Sequence, residues 1–184
     1  MQHFYENIEG WFSETDKKCY DDAVEKYKDD DIFVEIGSFK GRSSIAMAVN
    51  IINSGKRIKF YCVDTWQGSS EHQNNPDVVS GKLRNVFEEN IAPVNFAIEI
   101  IQKSSIEAAN LFENESVSFV FIDASHDYEN VKKDIEAWSP KIKKSGTLAG
   151  HDWAYSDVRR AVKHCFKKSI KKIKTAHDYW QMDF

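Results

Sequence analysis

Apolar residues along the chain alternate between short, nearly continuous runs and longer stretches with helical spacing. The runs near 32–36, 58–63, 95–101, 117–123 and 146–150 suit strands buried in a sheet. Between them, Ser43 to Val49, Tyr128 to the residue before Pro140, and 156–166 suit helices. Phe4, Ile8, Trp11, Phe12, Val24 and Tyr27 recur at helical intervals, which predicts one or two helices within residues 1–28. Residues 65–80 lack a period and contain Gly68, Ser69, Ser70, Asn74, Asn75 and Pro76, so they predict a long loop of functional size. Segments 170–176 and 179–184, around His177 and Asp178, read as two final strands. The alternation predicts an α/β fold: a seven-stranded, mostly parallel sheet with helices on both faces, five crossovers and a C-terminal antiparallel hairpin. Residues 1–184 then form a single domain, with 1–30 as a helical lid on the substrate side.

The junction after the first run carries the chemistry. Phe33-Val34-Glu35-Ile36-Gly37-Ser38-Phe39-Lys40-Gly41 ends a strand in an acid and two glycines, and a helix follows. Glycines let backbone approach a ligand closely, and the free N–H groups of a helix start favour an anionic group. A dinucleotide fingerprint, G-x-G-x-x-G, would need glycine where Glu35 and Lys40 stand, so it fails at two positions. The spacing present, E-x-G-x-x-x-G, resembles motif I of class I S-adenosylmethionine-dependent methyltransferases. The next run ends at Asp64, about 23 residues beyond Gly41, where nucleotide-binding folds place a carboxylate on ribose hydroxyls. A strand-end turn is served by the same residue.

Two later runs also end in acids: Val117–Ile122 in Asp123-Ala124-Ser125-His126, and Thr147-Leu148-Ala149 in Gly150-His151-Asp152-Trp153. In an open α/β sheet the ligand crevice lies beyond the carboxyl ends of the strands, so Glu35, Asp64, Asp123 and Asp152 are all expected to face it. Crowded carboxylates repel unless hydrogen-bonded or bridged by a cation, and oxygen-rich sites favour ions such as Mg²⁺. A divalent metal is therefore expected.

V-E-I-G-S-F-K-G-R-S-S, F-I-D-A-S-H-D-Y, D-I-E-A-W-S-P-K and L-A-G-H-D-W stand in this order. Together they resemble the macrocin O-methyltransferase-like and methyltransferase domain 24 families, related to cephalosporin hydroxylase-like proteins and, more distantly, to metal-dependent catechol O-methyltransferases. The resemblance begins near Gly10-Trp11 and runs to the C-terminus. It implies a Rossmann-like class I methyltransferase domain that methylates a hydroxyl of a small molecule (a sugar, a glycosylated natural product or a catechol-like phenol). It further implies that Glu35, Gly37, Ser38, Gly41 and Ser43 hold the methionyl part of S-adenosylmethionine. Asp64 takes the ribose, Ser104 and Ser105 lie on the adenine side, and Thr65 and Asp123 border the cofactor. Asp123 and Asp152 match metal ligands. The catechol enzymes follow the second aspartate with asparagine, whereas Trp153 follows here, so His151 or a water completes the shell. His126 stands where those enzymes carry a lysine base, and with Asp123 forms the expected catalytic pair. The alternative readings are a non-methylating relative, hydroxylase-like or NAD-binding, and a non-catalytic binding domain.

Composition narrows the setting. A chain of 184 residues with 41% apolar residues and 13% aromatics suits one globular domain, and a net charge of −4 disfavours a nucleic-acid surface. Lysines 167, 168, 171, 172 and 174 form the one basic run, and no aromatics interleave with it. No run reaches membrane-span length and no signal-like start is present, so a cytoplasmic protein without a membrane partner is expected. Cys19, Cys62 and Cys165 lack the spacing of a disulfide framework or zinc site. The pattern leaves oligomeric state open, a dimer being the commonest closed assembly. The acceptor pocket is expected between the N-terminal helices, the 65–80 loop and residues 153–157. Trp66 is the candidate adenine neighbour, while His3, His72, His164 and His177 carry no motif.

Overall fold

The computed structural model describes every residue of the chain except Lys168 and His177, and leaves aside the side chains of Ser70 and Ile170. The turn predicted at His177 and one lysine of the basic run thus lie outside the described residues. Among the described residues seven strands form one sheet: β1 (Ile32–Ile36), β2 (Lys59–Asp64), β3 (Glu99–Gln102), β4 (Val117–Ile122), β5 (Ile142–His151), β6 (Lys174–Thr175) and β7 (Tyr179–Asp183). Their order is β3-β2-β1-β4-β5-β7-β6. The first five run parallel, and β7 pairs antiparallel with both β5 and β6. The predicted sheet and terminal hairpin are what the chain forms.

The helices are α1 (Glu14–Lys26), α2 (Arg42–Ser54), α3 (Pro76–Val79), α4 (Leu83–Ile91), α5 (Ser105–Ala109), α6 (Tyr128–Trp138) and α7 (Ser156–Cys165). Strand alternation sorts their partners. Phe33, Phe60, Phe119 and Phe121 point to the face covered by α1, α2 and α4, and Val34, Ile36, Val120 and Ile122 to the face covered by α5, α6 and α7. Both faces are therefore dry, as a parallel sheet requires. Cys62 and Trp138 sit in these two cores. No helix among the described residues is long and apolar enough to cross a membrane.

Four predicted boundaries change. The run expected at 146–150 is strand already from Ile142. Residues 95–101 are strand only from Glu99, because Ala92–Ala97 winds into a 3₁₀ helix with a proline in its first turn; Val94 is buried there while Phe96 stays in solvent. The 65–80 loop contains a 3₁₀ turn at Ser70–His72, and then α3, started by Pro76 and capped by the Asn75 side chain. Of 170–176, only Lys174–Thr175 pairs as strand, after a 3₁₀ turn at Ile170–Lys172.

Candidate active site

The carboxyl ends of β1, β2, β4 and β5 converge on one side of the sheet. The turn after β1 is possible because Gly37 and Gly41 have φ of +90° and +89°. A side chain at Gly37 would begin 2.0 Å from the Asp123 carbonyl oxygen, so the loops after β1 and β4 touch backbone to backbone. At Gly41 it would begin 2.9 Å from Ile91, where the start of α2 packs against α4.

Two adjoining cavities open above this contact, of about 430 and 280 Å³. Gly37, Phe39, His72, Asp123 and Ala124 border both. The larger is lined by Ser38 and Ser43 from the first turn and by His126, His151 and Asp152 from the far strands. Its remaining walls include Gly10, Trp11, Glu71 and Tyr155, which come from the three segments expected to shape an acceptor pocket. The smaller is lined by Asp64, Thr65, Ser104 and Ser105.

Glu35 corrects the expectation that all four acids face the crevice. It stands one residue before the end of β1, on the same face as Phe33, and lines neither cavity. Its carboxylate accepts hydrogen bonds from Tyr20 Oη at 2.9 Å and from Ser44 Oγ. Burial pushes its pKa up, against hydrogen bonds led by that of Ser44. Gly41 also lies off both linings, and Trp66 is buried against Phe87 with its indole N–H donating to the Phe39 carbonyl.

Asp64 is held as firmly. Its two oxygens accept the backbone N–H groups of Phe39 and Trp66 at 2.9 and 2.7 Å. Both donors have left-handed backbones, with φ of +45° and +54°, so the carboxylate helps to fix two strained turns. Ser104 caps α5 in a reciprocal pair with Glu107, and Ser105 Oγ accepts the Trp138 indole N–H at 3.0 Å. Ser38 differs: its Oγ is buried on the wall of the larger cavity near the Glu35 carboxylate, yet makes no hydrogen bond of good geometry among the described residues. An orphaned hydroxyl there fits a polar ligand group.

Asp123 and Asp152 meet imidazoles. His126 Nε2 lies 2.7 Å from Asp152 Oδ2 and 3.8 Å from Asp123 Oδ1, while its Nδ1 lies 2.6 Å from Glu71. His151 Nδ1 lies 3.1 Å from the same Asp152 oxygen and 3.6 Å from Asp123 Oδ1; its Nε2 lies 3.2 Å from Asp16. Burial would lower the pKa of each histidine, but the neighbouring carboxylates outweigh it and push both up to about 11. Those contacts in turn hold Asp152 well below the usual carboxylate range, despite burial. Asp152 has a left-handed backbone, φ +60°, at the very end of β5. Asp123, His126 and Asp152 each bring one potential ligand atom within 4.8 Å of the others, so the donor set fits a cation.

Several site residues carried no sequence signal. His72 stacks on Phe39 and on Trp11, with ring centroids 5.1 and 5.5 Å away. Lys40, nearly buried, pairs with Glu9 at 2.8 Å and Asp77 at 2.6 Å, tying the N-terminal segment and α3 to the first turn. Asp16 reaches His151, and Glu71 reaches His126. Only Trp11, an exposed aromatic near the start of the resemblance, offered a hint.

Residues 34–153 match Methyltransf_24, a family described as a methyltransferase domain. Protein y4gI of Sinorhizobium fredii (strain NBRC 101917 / NGR234), itself uncharacterized, is 28% identical over 119 residues, which are 65% of this chain and 13% of that protein. The chain thus spans about an eighth of that relative. Among solved structures, the O-methyltransferase NovP superposes with a TM-score of 0.67 at 13% identity, over 91% of this chain and 76% of its own. CalS11, a TDP-rhamnose 3′-O-methyltransferase of calicheamicin biosynthesis, gives 0.65 at 14% identity, over 92% and 77%. SMU.1697c of Streptococcus mutans, a methyltransferase-like protein in complex with SAH, gives 0.63 at 10% identity, over 94% and 99%. At such identities these likenesses concern the fold.

Proposed function

The chain belongs to the methyltransferase-domain family, and from that premise we propose that it transfers the methyl group of S-adenosylmethionine to a hydroxyl of a small molecule. The observation that carries this reading is that Asp123 borders both cavities, so a donor above Gly37 and an acceptor beside Asp152 would meet at one carboxylate.

In this reading Gly37, Ser38 and Ser43 hold the methionyl end, with the orphaned Ser38 Oγ finding its partner there, and Gly41 sets the turn. Asp64 and Thr65 face the ribose, and Ser104 and Ser105 the adenine side. Glu35 acts from beneath, fixing α1 and α2 through Tyr20 and Ser44. Asp123, Asp152 and His151 would hold a divalent ion, which supplies a Lewis acid that lowers the pKa of the acceptor hydroxyl. His126 takes the hydroxyl proton. Because Asp123 and Asp152 keep its ring cationic, that service requires the two carboxylates to be engaged by another positive group or by the acceptor. Holding donor and acceptor in line contributes up to about 7–11 kcal/mol of the barrier reduction. A sugar hydroxyl is the acceptor class favoured by the fold likeness to CalS11 and by the Trp11 and Tyr155 rings in the larger cavity.

Calorimetric titration with S-adenosylhomocysteine, S-adenosylmethionine and NAD, each with Mg²⁺ and with chelator, tests the assignment. Selective micromolar binding of the sulfur-containing compounds is the expected outcome. Preference for NAD, or silence toward all three, would overturn it.

A further inference from the structure

Asp16 lies in the first turn of α1, outside the residues that match the family. It is fully buried. Its Oδ2 accepts from the backbone N–H of Ser13 at 2.8 Å and from Ser13 Oγ at 2.7 Å, and faces His151 Nε2 at 3.2 Å. Its Oδ1 is buried with no partner among the described residues. A buried carboxylate is costly unless it is paired, and helix capping alone is served by an exposed side chain. What burial adds here is the contact with His151, whose other nitrogen is thereby turned toward Asp152 and Asp123.

Metal-ligating histidines almost always give their second nitrogen to a carboxylate or carbonyl, which fixes the ring and strengthens the ligand. Asp16 and His151 have that arrangement with a buried partner. His126 is backed instead by Glu71, whose side chain is half exposed on the 65–80 segment. Mg²⁺ prefers all-oxygen shells rich in water, whereas an imidazole nitrogen beside carboxylates suits first-row transition ions.

We propose that His151, oriented by Asp16, is the nitrogen ligand that joins Asp123 and Asp152 in a site selective for a first-row transition-metal ion over Mg²⁺. This rests on the metal-assisted reading above. It makes α1 part of the metal site and leaves His126 free as the base.

Chelator-treated protein is titrated with Co²⁺, Mn²⁺ and Mg²⁺, by calorimetry and by the visible absorption of Co²⁺. One Co²⁺ or Mn²⁺ per chain should bind at least about tenfold more tightly than Mg²⁺. His151→Ala should abolish the Co²⁺ spectrum, and Asp16→Asn should weaken binding about 10–100-fold. Ser13→Ala, which breaks the helix cap but leaves Asp16, should shift affinity by less than about twofold, and His126→Ala should retain the ion. Equal affinity for Mg²⁺, no bound Co²⁺, or equal losses in Ser13→Ala and Asp16→Asn would each overturn the proposal. So would loss of the ion in His126→Ala with its retention in His151→Ala. Should Asp16→Asn fail to fold, the ion preference of the unaltered chain and the His151→Ala result still decide the matter. S-adenosylhomocysteine titrated into the same samples separates the readings. Its binding without Co²⁺ uptake sinks the metal site alone, and Co²⁺ uptake without its binding sinks the methyltransferase reading alone.

Discussion

The acids at the ends of β1 and β2 and those at the ends of β4 and β5 look alike in sequence, yet their partners differ in kind. Glu35 and Asp64 are held by donors that the fold cannot withdraw: a buried tyrosine, a buried serine and two backbone N–H groups. Asp123 and Asp152 face two imidazoles on the wall of the larger cavity, side chains that can exchange a proton. The first pair builds the platform and the second is available for chemistry. An acidic strand end thus acquires its role from the chemistry of what it bonds to.

The most severe way to probe this contrast is to remove His126, the proposed base. His126→Ala should lower methyl transfer about 10²–10⁴-fold, measured with labelled S-adenosylmethionine and an acceptor found by screening, and leave S-adenosylhomocysteine affinity unchanged. Equal turnover would dissolve the distinction between the two pairs. Next in size, Glu35→Ala should cost about 3–5 kcal/mol in urea denaturation, because Tyr20 and Ser44 lose their buried acceptor. Glu35→Gln should cost far less, since burial already favours the neutral acid. Ser44→Ala should cost about 1–2 kcal/mol, and a comparable loss of stability from Asp123→Ala would erase the contrast.

The smallest effect concerns Asp134, on α6 beside the smaller cavity. Burial raises its pKa to about 6, with hydrogen bonding from Ser105 opposing. The folded chain then holds this proton up to about pH 6, whereas the unfolded chain releases it near 4, so the stability due to this group rises as pH falls through that window. Asp134→Asn should flatten that slope and raise the melting midpoint at pH 8 by about 2–4 °C. An unchanged slope would show that the carboxyl is solvated in the native state.

The sheet was legible because its strands are written as apolar runs, and because the parallel order itself brings their acidic ends together. Residues 95–98 misled because Phe96, Ile98 and Ile100 recur at every second position as in a strand, while the turn that Pro93 begins carries the winding to Ala97 and leaves Phe96 in solvent. Glu35 misled for a related reason: motif spacing marks position along the strand, whereas the pleat decides which face the side chain takes. Asp16, Lys40, Glu71 and His72 were not legible at all. Each works through a partner brought near by the tertiary fold, as with Asp16 and His151 or Lys40 and Asp77. No local pattern encodes a contact of that range.

Strand order has a further consequence, for synthesis. β7 zips antiparallel along β5 from Thr147 to His151 and closes the flank of the strand that bears His151. A ribosome delivers β5 before β7, so during elongation that hydrogen-bonding edge stands open to any passing strand. The stretch made in between contains Lys167, Lys171, Lys172 and Lys174, charges of the kind that discourage edge-to-edge association. Docking of Tyr179–Asp183 along Thr147–His151 closes that edge.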